Sequence, residues 1–442
     1  MILVASALAG CNDAVLVEVQ SDRPVPQAID NICLGVADAS PAGGHFGHAY
    51  RLEGALASLP QSLRVEPGGA TSAFAWVRGD RGGVPAVRAA AATDFGRDVT
   101  LALPKCVVGP AAPPAVYGDP VGPANARLAA SAGEGGTLVV AVGGGATAIV
   151  DARGGNLVAN AAPGSPAGNV VAIVAADLDG DCDDDLVIAT DGAPPTVWLR
   201  ELDGFVVGGT IGTGVVDAIA TADVDRDGDI DVVTGAGGTL ALWRNDGGAT
   251  FTRDPAALAG GGHVNAISAL ALGDVDGDGN PDLIVGQHNA PLAAWLGEPG
   301  GTGSFLFSTG AVPPVALDVE SLAFADADGD FDPDLAVAVR DAPMRLYIDR
   351  DGRLEDQSFV RLPQPAPTVH AIAFGGWDDG CEPDAVVATD GGAPTLRGQP
   401  GGAFAADAPA PAGSDIIMID IDDDGDLDAL LATPQGVSWL AR

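Results

Sequence analysis

An aspartate-rich nonapeptide recurs six times in this chain at intervals of about fifty residues, and each copy runs straight into a short apolar segment. Five copies carry acid at positions 1, 3, 5 and 9: Asp177, Asp179, Asp181 and Asp185; Asp223, Asp225, Asp227 and Asp231; Asp274, Asp276, Asp278 and Asp282; Asp326, Asp328, Asp330 and Asp334; Asp420, Asp422, Asp424 and Asp428. The sixth copy, 376–384, has Gly376 and Gly380 in place of two of them. Four carboxylates aimed at one point repel each other. A hard cation that takes about six to eight oxygens relieves this, and calcium is the usual one. About five calcium ions are therefore expected, one for each intact loop.

An EF-hand also begins Asp-x-Asp-x-Asp-Gly, but it needs a bidentate Glu at position 12 and flanking helices. Position 12 here is Ile188, Thr234, Val285, Val337 or Leu431. The residues on both sides of each loop are short apolar runs with strand character, such as Val170-Val-Ala-Ile-Val before the first intact loop and Leu186-Val-Ile-Ala after it. Each loop is thus expected to close a β-hairpin.

A repeat of about 20 to 50 residues denotes a solenoid, a propeller or an array. One period before the first intact loop, residues 129–137 followed by Leu138-Val-Val-Ala have the glycines and the strand without the carboxylates. Counted as a metal-free copy, they bring the total to seven. Each unit offers four strands; in the second they are 170–175, 186–190, 196–200 and 205–207. Four strands repeated seven times fit a seven-bladed β-propeller. An aromatic residue recurs in the third strand, at Trp198, Trp243, Trp295, Tyr347 and Trp439, either as packing between blades or as a stacking platform for sugars. The last unit stops one strand short at Arg442. Since an open sheet edge is a liability, a strand at 115–117 is expected to pair with 437–440 and close the ring.

The Asp-x-Asp-x-Asp-Gly-x-x-Asp-Leu hairpin at this period resembles the FG-GAP or VCBS repeats of integrin-α-type seven-bladed propellers, over roughly residues 123–442. The resemblance implies calcium at the five intact loops and a propeller that binds a partner. Some members of the family are joined to enzymes. The copies at Ala129 and Gly376 depart from the pattern.

The formal net charge is −39, from 21 Lys and Arg against 60 Asp and Glu. Much of that excess lies in the loops. A nucleic-acid partner is excluded in kind, because phosphate contacts need Lys and Arg. Residues 1–11 form a short apolar run ending Leu8-Ala-Gly-Cys11, which resembles a bacterial lipoprotein signal and lipobox. A run this short cannot span a bilayer as a helix. Lipid on Cys11 would anchor an extracytoplasmic protein at a membrane, in the periplasm or at the cell surface.

Residues 12–108 lack the repeat. Their short strand candidates, separated by Pro and Gly turns, point to a small β-sandwich, followed by a linker and closing strand at 109–122. Cys33 and Cys106 bracket most of this region and are expected to pair in an oxidising compartment. Cys182 and Cys381 sit in loops three blades apart, a separation that argues against a disulfide between them. His45 and His48 read as a polar loop, since a zinc site needs further ligands.

The function expected is a monomeric, calcium-stabilised binding or adhesion module for a protein or a glycan, and not an enzyme. The alternatives are a polysaccharide-acting enzyme and a structural spacer of the cell envelope. None of the hydrolase, metalloprotease, P-loop or kinase motifs is present. Turns in a four-stranded blade alternate between two faces. The face opposite the aspartate loops gathers Asp217, Glu320, His370, His288 and Arg340 as candidate ligand contacts, with Asp390 beside them.

Overall fold

The computed structural model describes residues 15–20, 31–38, 45–51, 61–65, 72–81, 84–94, 99–102, 115–131, 138–143, 146–151, 157–161, 168–181, 183–201, 204–258, 264–328, 332–375, 377, 383–390, 394–399, 401–409, 412–419, 421 and 427–441. They fall into two compact units, the first made of 1–81 and 85–105 and the second of 82–84 and 106–442.

The first unit carries two sheets. Val15–Gln20 is central in a three-stranded sheet, antiparallel to Gln61–Val65 and parallel to Val99–Ala102. The other sheet has the order His45–Arg51, Asn31–Asp38, Ser72–Arg81, Val84–Asp94. Val17, Val19 and Leu101 are buried in the first sheet and Val77 in the second. His45 and His48 are not in a loop: they lie in a strand, opposite Ala37 and Leu34. Cross-strand pairing overrides the weak apolar content of that segment. Cys33 lies in a strand of the same sheet, whereas Cys11, Cys106, Cys182 and Cys381 fall outside the described residues.

The second unit is a seven-bladed β-propeller, with seven four-stranded antiparallel sheets among the described residues. Blades 1 to 6 run from Arg127–Ser131 to Val158–Ala161, Val170–Ala176 to Gly204–Thr210, Ala218–Ala222 to Phe251–Asp254, Ile267–Gly273 to Phe305–Ser308, Val319–Ala325 to Leu354–Asp356, and Ala371–Gly375 to Ala403–Pro409. Blade 7 takes Asp415–Ile419, Asp428–Thr433 and Gly436–Ala441 from the end of the chain. Its fourth strand, Ala115–Val121, comes from before blade 1. It pairs antiparallel, with Ala115 opposite Ala441, Val116 opposite Leu440, Tyr117 opposite Trp439 and Val121 opposite Val437. The first strand of each blade touches that of the next, and Asp415–Ile419 touches Arg127–Ser131, so the ring has no gap.

Most of the core lies between blades. The second strands of blades 2, 4, 5 and 7 are buried along their whole length, as sheets covered on both faces require. Ala129, Val140, Val142 and Ile149 of blade 1 pack on Leu186, Ile188, Trp198 and Phe205 of blade 2. The recurring aromatics belong to this packing. Leu186, Val232, Leu283 and Leu335 stand opposite Trp198, Trp243, Trp295 and Tyr347 in the same register. Trp198, Trp295, Tyr347 and Trp439 are buried. Trp243, half-buried, donates its indole N–H to Thr234 Oγ1 at 3.0 Å and lies over Gly212, where a Cβ would come within 2.7 Å of the ring. The sugar-platform alternative finds no support in these positions.

Candidate metal loops and the opposite face

The loops joining the first and second strands need tight reversals, which left-handed residues, mostly glycine, supply. Position 4 is left-handed in three loops, at Gly180 (φ 83°), Arg226 (φ 62°) and Gly277 (φ 70°), and position 6 at Gly228 (φ 106°) and Gly279 (φ 86°). Glycine adopts this region without steric cost.

Within the hairpins of blades 2 to 5, positions 1, 3 and 9 converge. Asp177, Asp179 and Asp185 each bring an oxygen within 4.8 Å of the others, and so do Asp223, Asp225 and Asp231, Asp274, Asp276 and Asp282, and Asp326, Asp328 and Asp334. Asp330, Asp420, Asp422 and Asp424 lie outside the described residues. The position-5 carboxylates cap the turn instead: Asp181 and Asp227 accept the N–H two residues on, at 2.9 and 3.0 Å, and Asp278 accepts that of Asn280 at 2.8 Å.

Position 9 has a second role that its spacing does not reveal. Oδ2 of Asp185, Asp231, Asp282, Asp334 and Asp428 accepts the N–H of position 2, at 3.0, 3.2, 2.7, 2.8 and 3.2 Å. Oδ1 of Asp185, Asp231, Asp282 and Asp334 accepts an N–H of the third strand at 2.7 to 2.8 Å, from Arg200, Asn245, Gly297 and Asp349. This buried carboxylate therefore fastens its loop to the sheet. In blade 6, which lacks acid at positions 1 and 5, Asp384 keeps the same bond to the Gly398 N–H at 2.7 Å.

Three carboxylate oxygens in the loops bear on whether a cation fits. Asp179 Oδ1, Asp225 Oδ1 and Asp274 Oδ1 are buried without a hydrogen-bond partner. A buried anionic oxygen in that state is unfavourable unless a cation meets it. An all-oxygen donor set of this kind suits calcium rather than a thiolate- or imidazole-seeking metal. The residues fit the ion, which would neutralise the carboxylates and tie the loop to the strand that follows.

Burial pushes Asp185 up to about 8, against the opposing N–H of Arg200. Burial likewise raises Asp231 and Asp282 to about 7, and burial with the neighbouring Asp181 raises Asp179 to about 6. A carboxyl raised above its ordinary value of 3.8 binds more protons folded than unfolded, so stability falls as pH rises through its folded pKa. Calcium-free protein is therefore expected to lose melting temperature between pH 5 and 8. Calcium bound to the native anions would raise the melting temperature most at the upper end of that window. Paired thermal melts with calcium or a chelator check this; equal curves at pH 8 would remove the metal from the account.

On the opposite face, ion pairs link the starts of first strands with the ends of second strands. His288 Nδ1 lies 2.6 Å from Asp318 Oδ1. Arg340 Nε lies 3.7 Å from Asp318 Oδ2 and 3.1 Å from Glu320 Oε1. Glu320 Oε2 meets His370 Nδ1 at 2.7 Å, and His370 Nε2 meets Asp390 Oδ1 at 3.0 Å. Four of the five candidate ligand residues thus join one chain across blades 4, 5 and 6. Asp217 stands apart, accepting the Gly237 N–H at 2.6 Å. Burial alone would lower the His370 pKa, but the bonds to Glu320 and Asp390 outweigh it and raise the value. Asp318 escapes the repeat count because it lies eight residues before its loop, just outside the strand, whereas Glu320 occupies the position shared by the other blades.

The family model for the FG-GAP-like repeat matches residues 177–234, 223–285 and 274–337, each match opening on position 1 of an aspartate loop. Residues 177–337 are thus FG-GAP-like repeats, carried on a seven-bladed propeller. The three FG-GAP matches cover blades whose acids are intact, while blades 1 and 6 depart from the motif and keep the fold. No curated protein matches the chain. Among solved structures, it is similar to an Agrocybe aegerita lectin described for specific recognition of non-reducing terminal N-acetylglucosamine. The identity is 16%, with 66% of this chain and 83% of that one covered and a TM-score of 0.50. It is also similar to BBS1N, solved in complex with ARL6DN, at 13% identity, 74% and 94% coverage and a TM-score of 0.46. At these identities the likeness concerns the fold alone. No helix among the described residues is long and apolar enough to cross a membrane.

Proposed function

We propose that this FG-GAP propeller is a calcium-stabilised binding module, not an enzyme, whose ligand is a protein or a glycan received on the face opposite the metal loops. The observation that carries this reading is the chain of ion pairs from His288 to Asp390. It holds exposed and half-exposed donors and acceptors in fixed positions across three blades. Polar groups ordered before binding lose little freedom when they bind. The lectin of similar fold makes a terminal amino sugar the first glycan to test. Attachment to a membrane through lipid on Cys11 belongs to the same proposal and rests on Leu8-Ala-Gly-Cys11 alone; an unmodified Cys11 in the exported protein would remove that part.

Glycan and protein arrays probed with the full chain in calcium are expected to yield a ligand that is recovered unchanged. R340A and E320Q should weaken its binding about tenfold or more, since each breaks a charge-assisted contact. A ligand unaffected by both substitutions would place the site elsewhere, and a depolymerised glycan would replace the binding reading with an enzymatic one.

A further inference from the structure

The four described aspartate loops are not alike. In blade 3 the third-strand residue Arg244 donates Nη1 to Asp225 Oδ2 at 2.6 Å. Its Nε and Nη2 reach Asp254 Oδ2 at 3.1 Å, and Nη2 also reaches the Thr302 and Gly303 carbonyls of blade 4 at 3.0 Å. Blade 5 repeats the arrangement with different residues. Asp328 Oδ2 accepts from Arg350 at 2.7 Å and from Arg361 at 3.0 Å, while Arg361 Nη1 donates to the Gly401 carbonyl of blade 6 at 2.6 Å. Asp179 in blade 2 and Asp276 in blade 4 occupy the same position 3, and no arginine pairs with either among the described residues.

A guanidinium on a position-3 carboxylate acts in three ways. It supplies one positive charge to the loop without any ion, and it repels a divalent cation brought within a few ångströms. It also occupies one of two carboxylate oxygens. Asp225 keeps the other, Oδ1, buried and without a hydrogen-bond partner, so the blade 3 loop still has an oxygen to offer.

We propose that the calcium loops form two classes. Blades 2 and 4 are tight sites that depend on the ion. Blades 3 and 5 are weak sites, held together in its absence by Arg244 and by Arg350 with Arg361, which also tie each loop to the following blade. The proposal rests on the calcium reading of the loops.

Calorimetric titration of the decalcified full chain with calcium chloride is the test. The wild type should show separate tight and weak sets. D179N should take a site from the tight set and D225N one from the weak set. R244M should tighten the blade 3 site by about tenfold or more, because the repulsion is gone, and should lower the melting temperature of the calcium-free protein, with calcium restoring it. A single set of equal sites, a D225N variant that loses a tight site, or an R244M variant whose affinities are unchanged or weaker would each overturn the two classes and leave calcium binding intact. No calcium heat at all would overturn the calcium reading and this proposal with it.

Discussion

Removal of residues 115–121 is expected to unfold the propeller as a unit rather than fray one blade. That strand is the fourth of blade 7, and its partner Gly436–Ala441 is otherwise a free edge. The same blade packs Trp439, Leu430 and Val437 against Leu128 and Val150 of blade 1, with Val121 alongside. Losing the closing strand therefore opens both the sheet and the seam between the ends of the chain. A folded domain has only about 5–15 kcal/mol in hand, and an open ring exposes a long unpaired edge. Circular dichroism melts of the deletion should show no cooperative transition near that of the wild type. A peptide of residues 111–122 added in trans should restore part of it. A deletion variant that melts within a few degrees of the parent would show that closure contributes little.

D384A is expected to cost about 1–3 kcal/mol, and to cost the same with calcium or with a chelator. Asp384 is buried and holds the Gly398 N–H, and each buried group left without its partner costs about 1–3 kcal/mol. Its loop has glycine at positions 1 and 5, so no ion is invoked. D181N, by contrast, removes charge from an exposed turn and should leave the chelated protein close to wild type. Denaturant titrations of both variants with and without calcium separate the two roles. A D384A loss that appears only in calcium would return position 9 to pure metal binding.

Why aspartate persists at position 9 was not legible in the repeat. Acid at positions 1, 3, 5 and 9 reads as four equivalent ligands. The structure divides them: positions 1, 3 and 9 converge on one point, position 5 caps its own turn, and position 9 also joins the loop to the third strand. The partner N–H groups of that bond lie 14 or 15 residues away in blades 2 to 6. They are backbone atoms and carry no sequence signature. The opposite face was legible in part. Alternation of turns placed His288, Arg340, Glu320 and His370 on one side, but their joining into one chain needed Asp318, which holds no place in the repeat.

The arginines mark the same boundary. Arg244, Arg350 and Arg361 sit at different offsets from their loops, so periodicity cannot pair them with Asp225 and Asp328. Blade number, hairpin position and the closing strand were all determined by the sequence itself. Each follows from a local pattern repeated at fixed spacing, or from a strand that the count leaves unpaired. Which carboxylates converge on one point, which ones hold the sheet and which are already met by a guanidinium were decided only by the tertiary structure. Those contacts join residues from neighbouring strands and blades, and packing brings them together without leaving a period to read.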